Sequence, residues 1–444
     1  MEETAEARSR LEAIKQIRNF CVIALIIFSG VYSKLLIIAA ALLGFAVAVF
    51  KDLPYTIEFL FFLLPMSVVF KMNPDATSFY SYILLLAVVK EVFVKTEFSG
   101  TIAGILLMVA YLLFGGSLAN FGRCRDILTC LLTCYLVMTG RVQLDFERLV
   151  VIFSVGVLIS ALVSLLSQNT PIFMGLASRI RLTDVQGEEV SRFRGLYGNS
   201  NYYTLDITLL CACYMSLYCG KKSLTKEQWV MLLLLLVVGI LSGSFSFLIT
   251  SSLTLLAGLL YLTRQNITLM IRTVVIFAIV LGIVFLLMGD STKTLITYRV
   301  ESQMTNTDDL SKMTSGRSEL QAAYLEHFRE NTGSLLLGEG LGAPHIGSGG
   351  RGPHNTFIDI VYYFGIVGGA VYIGTLVSFM RVKVRFTTAK MHQWIPLASL
   401  LVRLMAISLL LLNNITLYYL LIWLSLTHNT EERLSDGVAP GPAY

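Results

Sequence analysis

Apolar runs of roughly 15 to 25 residues recur along most of this chain, each long enough to cross about 30 Å of hydrocarbon at about 1.5 Å per helical residue. Backbone amides in lipid must be satisfied within the protein, and runs of this length do so as helices, not as barrel strands. About fourteen such runs lie between residues 19–33 and 414–427, several so short that two pairs could merge. The expected fold is an all-α polytopic membrane protein with about 12 to 14 transmembrane helices and a large extracytoplasmic loop that contains short helices. Composition agrees, with 55% hydrophobic and only 14% charged residues against about a quarter charged in soluble domains.

Arg8, Arg10, Lys15 and Arg18 precede the first run, and no small-residue cleavage site follows it, which reads as an uncleaved anchor with a cytoplasmic amino end. Strict alternation then puts Lys221, Lys222 and Lys226, Arg264 and Arg272, and Arg381, Lys383, Arg385 and Lys390 on the cytoplasmic side, as the positive-inside bias requires. Arg123 and Arg125 fall on the opposite side, against that bias. The expected division is a cytoplasmic segment 1–18, a bundle 19–289 that includes an outer loop 168–202, an extracytoplasmic catalytic loop 290–355, C-terminal transmembrane helices 356–427 and a cytoplasmic tail 428–444. The inner loops account for the net charge of +5, and no basic stretch is interleaved with exposed aromatics, so a nucleic-acid partner is not expected. Cys130, Cys134, Cys211, Cys213 and Cys219 lie within runs, which argues against a disulfide framework. Cys211 and Cys213 face different sides of a helix and make no metal site.

Two connections, 167–202 and 290–355, stand out as longer than a tight turn. Long loops in a compact protein are usually functional or disordered. Ile180, Leu182, Phe193, Leu196 and Tyr197 in the first, and a helical stretch over 318–328 in the second, argue that both fold over the membrane surface. In TSGRSELQAAYLEHFREN, Ser315 is the N-cap candidate, and Leu320, Tyr324 and Phe328 repeat every fourth residue as the apolar face of an amphipathic helix. Arg317 then falls in the first turn, where a cation costs about 0.3 to 1 kcal/mol unless an anion joins it. Amides and a guanidinium together suit phosphate; the plainer alternative is a solvated arginine paired with Glu319 or Glu301.

The stretch LLLGEGLGAPHIGSGGRGPHN is dense in glycine, so its backbone can approach a ligand closely. It has no proper G-x-G-x-x-G, no Walker lysine and no surrounding βαβ unit, which excludes a nucleotide loop. Thr356 to Asp359 has capping-box form, and an apolar run begins at once, so His354 sits at the water boundary just before a helix. A histidine there can titrate near neutral pH, take a proton from a hydroxyl, or cap the preceding loop. His345 is the candidate metal partner, but glycine-rich coil and no fixed carboxylate make a metal site unexpected. His327 reads as a helix-surface residue.

In the other loop, SRFRGLYGNSNYYTLDITLL brings Arg192 and Arg194, with Asn199 and Asn201, to the entry of the next run. These arginines either meet a ligand or stop the helix and touch lipid headgroups. Asp206 and Asp359 lie a short way inside helices on the same side, as partners for arginine or histidine or as paired structural acids. Arg403, deeper in a run, reads as a member of a buried pair, and Glu58 receives no assignment.

Taken in order, RFRGLYGNSN before a span, LSGSFSFLITSSLTLLAGLL two spans later, and an outer loop with SGRSEL, LGEGLG and HN before a helix carrying YYFGIVGG resemble the O-antigen ligase and O-antigen (polysaccharide) polymerase superfamily over residues 191–369. The resemblance implies a GT-C-type membrane glycosyltransferase of the bacterial plasma (inner) membrane that needs no metal or cofactor and takes a polyprenyl-pyrophosphate-linked oligosaccharide at the outer leaflet. It implies a catalytic set of Arg192 at the R-x-x-G position, Arg317 before the loop helix and His354 of the H-N pair. Arg194, Arg351, Asn199, Asn201, Asn355, Asp206 and Asp359 are the expected substrate-binding residues. Membrane lipids, a flippase and a chain-length regulator are the expected partners, with both termini cytoplasmic. Two departures stand out: the family often reads S-R where this chain has Ser244-Phe245, so a cation of the phosphate grip is missing, and its N-P-N is Asn199-Ser200-Asn201 here.

A polyprenyl donor keeps its tail in lipid and its pyrophosphate at the interface, so cations placed there hold it and stabilise the charge that grows as it leaves. Arginine's planar fork suits phosphate oxygens. His354 would take the acceptor hydroxyl's proton as that oxygen attacks the anomeric carbon with inversion. The expected product is a surface polysaccharide (O-antigen, capsule or exopolysaccharide) lengthened by repeat units, and the alternative is ligation of finished glycan to lipid A core or protein. A transporter of lipid-linked glycan would also need many spans, but it would carry internal repeats around a midplane site. No repeat is evident here, and the cations gather at one surface.

Overall fold

The computed structural model describes residues 2–30, 32–73, 76–94, 102–114, 120–139, 142–169, 193–197, 199–287, 293–294, 297, 301, 316–347, 349–381, 388–410 and 415–428. Within them the chain is helical: α1 (Glu2–Ser29), α2 (Lys34–Phe50), α3 (Leu53–Leu63), α4 (Phe79–Val94), α5 (Ala103–Phe114), α6 (Phe121–Met138), α7 (Phe146–Asn169), α8 (Ser200–Lys221), α9 (Lys226–Leu241), α10 (Phe245–Gln265), α11 (Ile267–Leu287), α12 (Arg317–Glu330), α13 (Thr332–Leu337), α14 (Thr356–Met380), α15 (Ile395–Leu404) and α16 (Ile415–Thr427). The β-structure among the described residues is one isolated bridge, Gly347 to Arg351. Three helical segments among them, Phe146–Ser167, Phe245–Gln265 and Thr356–Met380, are long and apolar enough to cross a membrane, and shorter apolar helices accompany them. This is the architecture of a helical, membrane-associated protein.

The bundle is built around α8, which is buried along nearly its whole length and packs against α7, α9, α10 and α15. A helix buried on all sides needs no polar face. The polar side chains α8 does carry (Thr204, Asp206, Thr208) therefore have to find partners inside the bundle. Thr204 and Thr208 turn back onto carbonyls of the preceding turn, and Asp206 accepts from the Tyr197 and Tyr418 hydroxyls at 2.7 and 2.5 Å.

Caps decide where several helices begin. Asn199 starts α8 by accepting from the Asn201 amide at 2.8 Å, and Asn355 starts α14 by accepting from the amides of Phe357 and Ile358. Asn355 thus replaces the Thr356 capping box expected from the sequence. Thr356 instead donates to the Ile407 carbonyl at 2.6 Å and accepts from the Leu409 amide at 3.0 Å. That clasp also explains why α15 ends at Leu404 although the apolar pattern continues to 412: the chain turns there to meet the start of α14. The loop helix α12 starts at Arg317 with Gly316 at its cap in the left-handed region (φ 77°), and Ser315 lies outside the described residues. Its Leu320, Tyr324 and Phe328 are buried, as the interval of four requires.

The helix α14 is discontinuous. Gly365 adopts φ 63° and ψ −178°, a conformation essentially closed to side-chain-bearing residues. The break frees carbonyls of the preceding turn, and in an apolar setting each needs a new donor. The loop and α5 provide them: the Glu339 amide donates to the Tyr362 carbonyl at 2.7 Å, the Gly340 amide to the Tyr363 carbonyl at 3.1 Å, and the Tyr111 hydroxyl of α5 reaches the carbonyls of Leu337 and Phe364. Gly338 and Gly365 pass backbone to backbone, and a Cβ on Gly365 would collide with the Leu336 carbonyl. The glycines of LGEGLG therefore dock the loop on a broken helix. Gly365→Ala should cost about 2 to 4 kcal/mol, from the forbidden backbone plus the collision. A lower unfolding midpoint for the detergent-solubilised protein would register it; an unchanged midpoint would contradict this account.

The N-termini of α8, α10 and α14 and the turn after α15 meet at one end of the bundle, and the segment carrying α12 joins them through Tyr324 Oη, which donates to the Arg351 carbonyl at 3.2 Å just before α14. The contacts that show it are Tyr202 Oη donating to the Ser408 carbonyl at 3.3 Å, Ser244 Oγ donating to Asn201 Oδ1 at 3.3 Å, and the Thr356 clasp. We call this the loop end. Toward the other end, Glu58 accepts from Gln16 at 2.6 Å and pairs with Arg148 at 3.0 Å, which gives that buried acid its role as a structural tie.

Candidate functional site

His354 stands at the loop end in a left-handed backbone conformation (φ 50°), which costs a residue with a Cβ about 1 kcal/mol. Such strain persists only where the surroundings impose it, and it concentrates at working sites. The side chain is half-buried and makes no hydrogen bond to any described residue, although the loop around it is well tied. Burial lowers the imidazole's pKa, and the positive charges of Arg317 and Arg351, with His345, lower it further. The ring is therefore held neutral at pH values where a free histidine begins to protonate, so it can accept a proton. Deleting one of those charges reverses part of the effect: in Arg351→Gln the protonated ring is less disfavoured, and the His354 titration followed by NMR should move to higher pH than in the wild type.

The loop beside it is held by aromatic hydroxyls. Tyr324 of α12, whose pKa burial pushes up to about 12, remains a donor throughout the neutral range and contacts His345 Nδ1 at 3.2 Å and the Arg351 carbonyl at 3.2 Å. Tyr363 Oη sits 3.3 Å from the same His345 nitrogen. His345, considered from sequence as a metal partner for His354, is thus a strut between two helices. His327 does lie on the α12 surface, where it meets Glu339 at 2.9 Å.

Arg317, in the first turn of α12, is close enough to act electrostatically on His354, Tyr202 and Arg403. Arg351 reaches His354 in the same way and keeps its side chain in solvent. Asp359 is 2% exposed in the first turn of α14, its Oδ1 makes no hydrogen bond among the described residues, and it lies within electrostatic reach of Tyr202 and Arg123. Arg194 is half-buried at the start of the segment that leads into α8. Arg192 lies outside the described residues.

Three expected substrate-binding residues have internal duties. The side-chain oxygens of Asn199 and Asn355 cap helices, and Asp206 is enclosed by Tyr197 and Tyr418, so it ties α16 and the 193–197 segment to α8 and reaches Arg403 only through space. Asn201 does lie in the cluster, with Oδ1 accepting from Ser244 and Ser246 at 3.3 and 3.4 Å. Arg403 departs most from expectation. Among the described residues it forms no ion pair. Its Nη1 donates to Ser246 Oγ at 2.5 Å, and its Nη2 donates to Thr204 Oγ1 at 2.9 Å and to the Asn201 carbonyl.

Sequence reasoning missed one organiser of this end. Arg123 donates to the Leu341 carbonyl at 2.6 Å and lies over the Tyr363 ring at 5.6 Å, pinning the loop to α6 and α14. Its signal was present: a cation that violates the charge bias of membrane loops has a reason to be there. No protein-family model matches this chain, and no curated protein matches it.

Proposed function

We propose that this chain is a membrane glycosyltransferase that moves glycan from a polyprenyl-pyrophosphate carrier to an acceptor sugar hydroxyl, lengthening a surface polysaccharide by repeat units. The loop end is then the extracytoplasmic face of a bacterial plasma membrane, crossed about 12 to 14 times. One observation carries the reading: a neutral, strained histidine without hydrogen-bond partners among the described residues shares the loop end with Arg317 and Arg351. The order of motifs that resembles the O-antigen ligase and polymerase superfamily supports it. An open apolar groove of about 430 Å³ along α10, lined by Phe245, Leu248, Ile249, Ser252, Leu253 and Leu256, begins at the same end and suits an isoprenoid tail.

In this reading the acceptor oxygen attacks the anomeric carbon as its proton passes to the His354 ring. The bond from that carbon to the pyrophosphate oxygen breaks, and its electron pair leaves with the pyrophosphate. Arginine charge matters most at that moment, when negative charge is greatest. The test is purified protein incubated with a polyprenyl-pyrophosphate-linked oligosaccharide and no ATP or nucleotide sugar. Longer lipid-linked glycan is the expected product. Movement of the lipid-linked glycan across the membrane without a new glycosidic bond would overturn the proposal.

A further inference from the structure

Arg403 presents an electrostatic problem that the proposed chemistry does not yet use. The side chain is 1% exposed, yet among the described residues every oxygen it touches is neutral and its Nε has no hydrogen-bond partner. Asp206 acts on it only through space, because both of that carboxylate's oxygens are taken by tyrosine hydroxyls. A buried cation without a counter-ion costs several kcal/mol after relaxation, and Arg317, within electrostatic reach, adds repulsion.

The cost is recovered when an anion arrives. The guanidinium reaches α10 at the Ser244–Ser246 turn. Ser244, Ser246 and Asn201 form a mutually hydrogen-bonded set there, with Ser244 and Ser246 hydroxyls 3.1 Å apart. The apolar groove of α10 starts at Phe245 in that turn. Charge beneath the hydroxyls and an apolar channel beside them describe a ligand with an anionic head and a hydrocarbon tail.

We propose that Arg403 is a positioning residue for the diphosphate of a lipid-linked substrate, acting through its charge and through the Ser246 and Thr204 hydroxyls it orients. The proposal rests on the glycosyltransferase reading above, and it places a buried charge of α15 beneath the hydroxyls at the start of α10. Arginine suits the task because one planar fork can hold several oxygens at once.

Binding to the full chain in detergent or nanodiscs tests it, with geranylgeranyl pyrophosphate, geranylgeraniol and inorganic pyrophosphate as probes. Wild-type protein should bind the prenyl pyrophosphate more tightly than either of the others. Arg403→Gln should weaken the prenyl pyrophosphate about tenfold, equivalent to about 1.4 kcal/mol, and leave the alcohol unchanged, while Arg403→Lys, which keeps the charge without the fork, falls between the two. Equal binding of prenyl pyrophosphate by wild type and Arg403→Gln overturns the inference, as does parallel loss of the alcohol, which would mark a packing role. If Arg403→Gln does not accumulate, Ser246→Ala serves: selective weakening of the pyrophosphate supports the proposal, and no change sinks it. Wild-type affinity for inorganic pyrophosphate that equals the prenyl form would refute the lipid-linked ligand. A wild type that binds no prenyl pyrophosphate counts against the glycosyltransferase reading itself, a result distinct from indifference to Arg403.

Discussion

His354→Ala is expected to lower glycan transfer about 10²- to 10⁴-fold, the range a positioned general base contributes, with protein still accumulating in the membrane. The side chain's lack of hydrogen bonds among the described residues supports the second half of that expectation, since truncating it breaks no hydrogen bond among them. His354→Gly makes a sharper control. It removes the left-handed penalty of about 1 kcal/mol, so it should fold about as well as the wild type and remain as inactive as the alanine variant. The pH profile gives an independent readout. A base must be neutral, burial and neighbouring arginines depress the pKa of this one, and protonation therefore removes it only at more acid pH than usual. The acid limb of transfer should lie below about 6.5, the ordinary histidine value. Full activity in His354→Gly would end the assignment.

What the sequence made legible follows from local chemistry. The apolar face of α12, the start of α14 at Thr356 and the start of α10 at Phe245 all rest on short-range periodicity or an abrupt change in polarity. The proximity of His354 to Arg317 was legible only as an order of motifs, since loop coordinates are not written in spacing. The break at Gly365 could not be read at all, because a glycine inside an apolar run is compatible with a continuous helix. It becomes necessary only once Glu339 and Gly340 arrive to take the freed carbonyls. Arg403 was misread for a related reason. A buried arginine suggests a nearby acid, whereas its partners, Asn201, Thr204 and Ser246, are set by how α15 packs on α8 and α10. Long-range packing also decided the role of Asp206, whose residue type was equally compatible with ligand contact.

Arg317→Ala is expected to reduce transfer about 10²- to 10³-fold, comparable to the loss of one group that stabilises developing negative charge. Two properties of the position make arginine effective there. It lies at the positive end of α12, where Gly316 brings no capping side chain, so the guanidinium and the helix dipole attract the same anion. It also acts on His354 and on Arg403, so it links the base to the buried charge beneath Ser246. Arg317→Lys should recover only part of the rate, because an ammonium supplies charge without a bidentate fork. The substitution has a second consequence that a purely structural role would not produce. Without the guanidinium, protonated His354 is less disfavoured, so the acid limb of the residual activity should move upward in pH for Arg317→Ala and stay near the wild-type position for Arg317→Lys. A rate loss with an unmoved limb in Arg317→Ala would separate Arg317 from His354 and dissolve the site as drawn; a wild-type rate would remove it altogether.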